Sequence, residues 1–273
     1  MNIQKLCAAV LGHLGLSGRG ANPDAANQAL EKGRSLLDEG GYDAAIAAFT
    51  EAIGLNRKCA EAYCCRGDAR REKDEPGMAI ADYTEAIRLN PGHALAYFGR
   101  GLAYYWHEGE EIEVDEAVDD FTQAIRLDPR LSQAYRARGD VYRGILDVAY
   151  TDEGESDSAI GDYTAAIRID PKDAEAYHSR ALVYWRQGEN DKAIADFTEI
   201  IRLEPEDAEA YYNRGVAYGH KREYEKAIAD YAEAIRLKPR YSEAYDNRAR
   251  AYRALGEEEK ALEDERKAQE LMK

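Results

Sequence analysis

Between Ala208 and Tyr241 the hydrophobic positions fall into two groups separated by one polar break. Tyr224, Ala227, Ile228, Tyr231 and Ile235 stand at i, i+3, i+4, i+7 and i+11, one face of a helix. Tyr211, Gly215 and Tyr218 stand at i, i+4 and i+7, a face of a second helix, and Lys221 and Arg222 lie between the two. Pro239 marks the stop before the next helix. The segment is therefore predicted to be a helical hairpin. The pattern recurs, because Pro91, Pro129, Pro171, Pro205 and Pro239 are spaced by 38, 42, 34 and 34 residues. Periods of this size mark an array of repeated supersecondary units. Alignment of the chain on itself places repeats at 26–59, 60–93, 94–131, 132–173, 174–207, 208–241 and 242–273, with residues 1–25 outside the array.

Two rows of residues run through the repeats. Gly33, Gly67, Gly101, Gly139 and Gly215 share one place with Ala181 and Ala249. Glycine costs about 1 kcal/mol in a helix relative to alanine, so its recurrence needs a packing reason. An adjacent helix crossing at backbone distance is the expected one. Arg66, Arg100, Arg138, Arg180, Arg214 and Arg248 occupy a second place on first helices, and Asp82, Asp120, Asp162, Asp196, Asp230 and Asp264 one place on second helices. The first repeat carries Lys32 and Ala48 instead, so arginine and aspartate are absent together. An anion-binding ladder is one reading of the arginines. The joint absence favours the other, a bridge that ties the two helices of each hairpin.

The pieces Tyr63, Gly67, Ala79, Tyr83 and Pro91, and Ala193, Phe197 and Pro205 in a later copy, make the unit similar to the tetratricopeptide repeat. The resemblance covers residues 26–273, with Tyr where the family often has Trp and Arg where it often has Leu. It implies an all-α fold, a right-handed α-solenoid of seven stacked helix-turn-helix hairpins whose first helices line a concave groove. A lone hairpin cannot bury its apolar face, so stacking is also required physically. Glu265 replaces the aromatic residue found in the other repeats, which makes the last unit read as a cap with a solvated face.

Groove positions implied by the resemblance are Phe98, Leu102, Tyr105, Trp106, His178, Leu182, Trp185, Tyr212 and Val216, with Arg136, Arg143, Arg250 and Arg253, and Asn213 and Asn247 nearby. Aromatic and arginine side chains are the usual anchors of interfaces, although rings at these places can also pack between repeats. The expected function is a non-catalytic protein–protein interaction scaffold that binds a peptide or helix of a partner in the groove. The alternative is a structural or assembly module that self-associates or joins a larger complex through its edges and caps. The carboxylate clamp of chaperone-binding relatives needs Lys and Asn on adjacent first helices. Repeat two offers Cys64, Cys65 and Asp68, so no clamp is recognised.

Charge narrows the partner class. With 37 Lys and Arg against 53 Asp and Glu, the chain carries a net charge of −16, which argues against binding nucleic acid or an anionic membrane surface. Eight carboxylates fall in residues 107–120 and five in 147–157, the insertions of repeats three and four, and no Lys or Arg interrupts either stretch. They read as solvated loops or as an acidic rim that steers a basic partner. No catalytic, cofactor or metal motif emerges. His107-Glu108 lacks the second His of a zinc protease, Thr151–Asp157 lacks the alternating carboxylates of a calcium loop, and no phosphate loop is present. The cysteines Cys7, Cys59, Cys64 and Cys65 have neither disulfide nor zinc spacing and are expected to be reduced. The segment Leu6–Leu16 is too short to span a bilayer. A cytoplasmic location is expected, or export if residues 1–20 act as a signal peptide.

Overall fold

A computed structural model describes residues 23–105, 114–148 and 153–272, and every one of its regular elements is a helix. The chain divides into two compact units at Arg130 and Leu131. The first contains α1 (Pro23–Asp38), α2 (Tyr42–Leu55), α3 (Ala60–Glu72), α4 (Pro76–Leu89), α5 (Ala94–Tyr105) and α6 (Val114–Leu127). The second contains α7 (Ser132–Val148), α8 (Glu153–Ile169), α9 (Ala174–Arg186), α10 (Asn190–Leu203), α11 (Ala208–His220), α12 (Tyr224–Leu237), α13 (Ser242–Ala254) and α14 (Glu258–Leu271). Each unit is a solenoid of hairpins, because every helix packs on the next in sequence. First helices also touch the first helix of the following hairpin in α1 and α3, α3 and α5, α7 and α9, and α11 and α13.

The hairpin turns have a common closure. Gly40, Asp74, Gly188, Arg222 and Gly256 all take positive φ, between 61° and 79°. The next residue returns a backbone hydrogen bond into the last helical turn, as from Glu223 N–H to the Tyr218 carbonyl at 3.0 Å. This arrangement is the Schellman closure, which favours glycine because a Cβ is strained there. Asp74 and Arg222 adopt the same backbone without that freedom.

The glycine row has a different cause from the one expected. Its nearest neighbour is an aromatic ring of the second helix: a Cβ on Gly67 would lie 2.8 Å from the Tyr83 ring, and one on Gly215 2.8 Å from the Tyr231 ring, with the Ala227 carbonyl oxygen at 3.3 Å. Gly33 with Phe49, Gly101 with Phe121 and Gly139 with Tyr163 repeat the contact. The rings of Phe49, Tyr83, Phe121, Tyr163 and Phe197 are fully buried, with small alanines such as Ala79, Ala159 and Ala193 around them. The core of each unit is thus a row of single rings, seated on glycines or, for Phe197, packed with Ala181.

The expected Arg–Asp bridges are present in six hairpins. In each, the arginine Nε and Nη2 donate to the two oxygens of one aspartate, at 2.7 to 2.9 Å. The aspartates are only 4% to 7% exposed. Arg180 also lies 5.7 Å from the Tyr177 ring and 5.8 Å from that of Tyr184. Its Nη1 donates to Thr164 Oγ1 of the preceding hairpin at 2.9 Å. Arg66, Arg100 and Arg214 reach Thr50, Thr84 and Thr198 in the same way. One guanidinium therefore joins two helices of its own hairpin and a third from the hairpin before, which the sequence reading did not foresee. These arginines are spent on structure.

Several expectations fall on undescribed residues. The 1–25 segment up to residue 22, Cys7, Trp106, and residues 107–113 and 149–152 of the acidic insertions lie outside the described residues. The parts that are described are helical: Asp115, Glu116 and Asp119 belong to α6 along with the bridging Asp120, and Glu155 and Asp157 belong to α8. Glu265, read as solvated, is tied to Arg253 at 2.7 Å.

Candidate functional site

The groove candidates divide between the two units. Phe98, Leu102 and Tyr105 are on α5 of the first. Phe98 is corrected outright: it is 5% exposed and packs on Phe121 with ring centroids 5.9 Å apart, so it is a core residue and offers nothing to a ligand. Leu102 and Tyr105 are half-buried. On the first helices of this unit, polar side chains satisfy one another. Arg34 donates to Glu61 at 2.6 Å, and the other Glu61 oxygen lies 3.0 Å from His93 Nε2. The Ala96 N–H donates to His93 Nδ1 at 3.3 Å, so Nε2 is the nitrogen left to carry the proton toward Glu61. Burial pushes the Glu61 carboxyl up, but His93 and Arg34 outweigh it and hold the group below its ordinary value. The Tyr83 hydroxyl donates to Asp68 at 2.7 Å. Neither Glu61 nor His93 was singled out from sequence, because their pairing joins repeats that sequence spacing does not connect.

The second unit holds the remaining candidates on α7, α9, α11 and α13. Here a polar pair links each hairpin to the next at two successive steps. Asn213 Nδ2 is 3.4 Å from His178 Nε2, and Asn247 Nδ2 donates to the Tyr212 hydroxyl at 2.9 Å. The Tyr212 ring also packs on Tyr241 at 4.9 Å and Tyr231 at 6.0 Å. The asparagines expected to orient a peptide are therefore engaged between repeats. Arg136 is tied to Asp173 and Glu175, and Arg143 faces Asp140 at 3.7 Å. Arg253 is bound to Glu258 and Glu265.

What remains accessible is a strip with an aromatic centre. Trp185 is 37% exposed, one of the most exposed large hydrophobic residues described, and its ring meets that of His220 edge-on at 5.5 Å. Leu182 and Val216 are half-buried beside it in register, one turn earlier on α9 and α11. Arg250 on α13 has a side chain 71% exposed and a single ion pair, to Asp246 at 2.7 Å. An exposed indole with aliphatic neighbours can seat an apolar or aromatic side chain, and the exposed Arg250 guanidinium on α13 can hold a polar group.

The described residues offer little for catalysis. No group of three or more His, Cys, Asp or Glu among them could hold a metal ion. Cys59, Cys64 and Cys65 form no disulfide, the last two are buried, and burial pushes the Cys59 thiol up, away from the reactive thiolate. No described helix is long and apolar enough to cross a membrane.

Comparison with known proteins gives one consistent answer. A family model described as a tetratricopeptide repeat matches residues 30–75, 66–110 and 178–242. Related repeat models match 149–188 and 242–271. No curated protein sequence matches the chain. Among solved structures, YrrB, described as a protein of this repeat type with an unusual peptide-binding site, is 27% identical, with a TM-score of 0.59 over 72% of this chain and 95% of its own. MamA is also 27% identical, with a TM-score of 0.54 over 59% of this chain and 89% of its own. A repeat protein from Parabacteroides merdae, at 20% identity, shares the fold over 91% of this chain and 93% of its own, with a TM-score of 0.60.

Proposed function

Because the chain belongs to the tetratricopeptide repeat family, whose members are generally protein–protein interaction scaffolds, we propose that it binds a peptide or helix of a partner protein on the first helices of its second unit. The observation that carries this reading is Trp185. An indole left 37% exposed, with Leu182 and Val216 in register one turn earlier and the His220 ring edge-on against it, is an anchor open to a ligand. The peptide-binding site of YrrB supports the class of ligand without locating it here. On this reading the protein does no chemistry of its own.

A second reading has its own observation. Leu255, Leu262 and Met272 of the last hairpin are 37%, 48% and 68% exposed, and a terminal hairpin with uncovered apolar residues suits an assembly contact. The two readings separate in one affinity capture from a lysate of the source organism. Trp185→Ala with Arg250→Glu is expected to lose the partners that wild type retains, while Leu262→Asp with Met272→Asp keeps them. The reverse pattern would overturn the groove reading. All four positions are exposed, so circular dichroism is expected to show unchanged helix content.

A further inference from the structure

Each first helix carries a residue four places after the small-residue row. Across the seven hairpins these are Leu37, Arg71, Tyr105, Arg143, Trp185, Gly219 and Arg253. Six are large and one has no side chain. Gly215, one turn earlier on α11, is held small by the Tyr231 ring, but Gly219 has no such cause. A Cβ built there would meet only the Tyr231 hydroxyl, at an ordinary contact of 3.5 Å. The absent side chain leaves a gap beside Trp185, with the Tyr231 hydroxyl at its floor.

That hydroxyl is itself exceptional. Three hairpins carry tyrosine at this core position. The Tyr83 hydroxyl donates to Asp68 at 2.7 Å, and that of Tyr163 to Asp140 at 2.9 Å. In the Tyr231 hairpin the place of those aspartates is taken by Val216. Tyr231 is 3% exposed, and its hydroxyl makes no hydrogen bond with any described residue. The hydroxyl is not among the buried unpaired polar atoms, so it opens onto the gap, at a place where the other stacked hairpins carry phenylalanine or a tyrosine paired with aspartate. Arg250 is close enough for its charge to act on the Tyr231 phenol, and most of its side chain is open to solvent.

We propose that this gap is a subsite for the side chain of a glutamate in the bound peptide. The carboxylate accepts a hydrogen bond from the Tyr231 hydroxyl and faces Arg250, while the methylene stem lies against Trp185 and Val216. The carboxylate restores from outside the acceptor that Asp68 and Asp140 supply within the other hairpins. A glutamate suits the place because its two methylenes span the depth of one missing side chain before the charge is reached. The subsite rests on the reading that a peptide docks on this face, and it adds which residue the peptide must present.

The test uses the full-length protein and an array of random 12-residue peptides, all amidated at the C-terminus so that only side-chain carboxylates are offered. Selected peptides are expected to share a glutamate whose change to glutamine weakens binding by about tenfold. That preference is expected to vanish in Tyr231→Phe, and Gly219→Leu, which fills the gap, is expected to abolish binding. Thermal unfolding gives an independent arm. Tyr231→Phe should melt within about 1 °C of wild type, because its hydroxyl has no partner in the fold, whereas Tyr83→Phe and Tyr163→Phe should melt about 2–4 °C lower. Peptides that bind wild type, are lost in Trp185→Ala, and are indifferent to Gly219→Leu or to the glutamate would overturn the subsite alone. Equal losses of melting temperature in the three tyrosine variants would do the same. No bound peptide at all would overturn both the subsite and the docking reading.

Discussion

Asp196→Ala is expected to destabilise the second unit by about 3–5 kcal/mol, the range for leaving a buried charge without its partner. The change strips both carboxylate oxygens from Arg180, leaving Thr164 Oγ1 as its acceptor, while the side chain stays 14% exposed and enclosed by Tyr177 and Tyr184. Urea unfolding followed by circular dichroism reads the loss directly. The companion double variant Arg180→Met with Asp196→Leu separates stability from register. It is expected to recover most of the loss, since apolar replacements of buried ion pairs are often neutral or better. If Asp196→Ala alone cost no more than an exposed ion pair, under about 1 kcal/mol, the bridge would be ornamental and the assignment of these arginines to structure would fall.

Tyr83→Ala is the second large effect, expected to cost about 3–5 kcal/mol in the first unit. The ring is fully buried and sits between two glycines: a Cβ on Gly67 would lie 2.8 Å from it, and one on Gly99 of the next hairpin 2.5 Å. Neither glycine has a side chain that could move into the cavity, so the site cannot collapse cheaply. The same geometry predicts that Gly99→Val is harmful from the other side, by about 1–3 kcal/mol of overpacking. A thermal melt of the two variants checks both statements. A Tyr83→Ala protein that melts within about 1 °C of wild type would show that the row of rings is not the core.

How far the sequence could be read follows from what the repeat makes redundant. The hairpins, their phase and the Arg–Asp pairing were legible because each appears several times in the same register, and Lys32 with Ala48 supplied a natural double deletion. The cause of the glycine row was not legible. Periodicity shows that a small residue is needed at Gly67 but does not say whether backbone or the Tyr83 ring lies against it. Contacts between hairpins were also hidden. Asn247 meets Tyr212, and Asn213 meets His178, only because stacked first helices bring residues 35 apart together. Phe98 illustrates the same limit, since its ring packs on Phe121 at 5.9 Å just as Tyr212, at the same place in the repeat, packs on Tyr231 at 6.0 Å, and repeat position alone does not show this core contact. Trp185 and Arg250 were recognisable as residue types suited to an interface, but their exposure depends on which neighbours are small. Gly219 draws attention only once the ring beneath Gly215 is known.

Partners proposed to meet the Trp185 face of the second unit can be located by hydroxyl-radical footprinting of the protein with and without its captured partner. Trp185 and His220 are exposed and oxidisable, as are Met272 on the last hairpin and Met78 in the first unit. Oxidation of Trp185 and His220 is expected to fall severalfold in the complex while Met272 and Met78 react as before. Protection of Met272 with Trp185 unchanged would contradict it and assign the contact to the terminal hairpin.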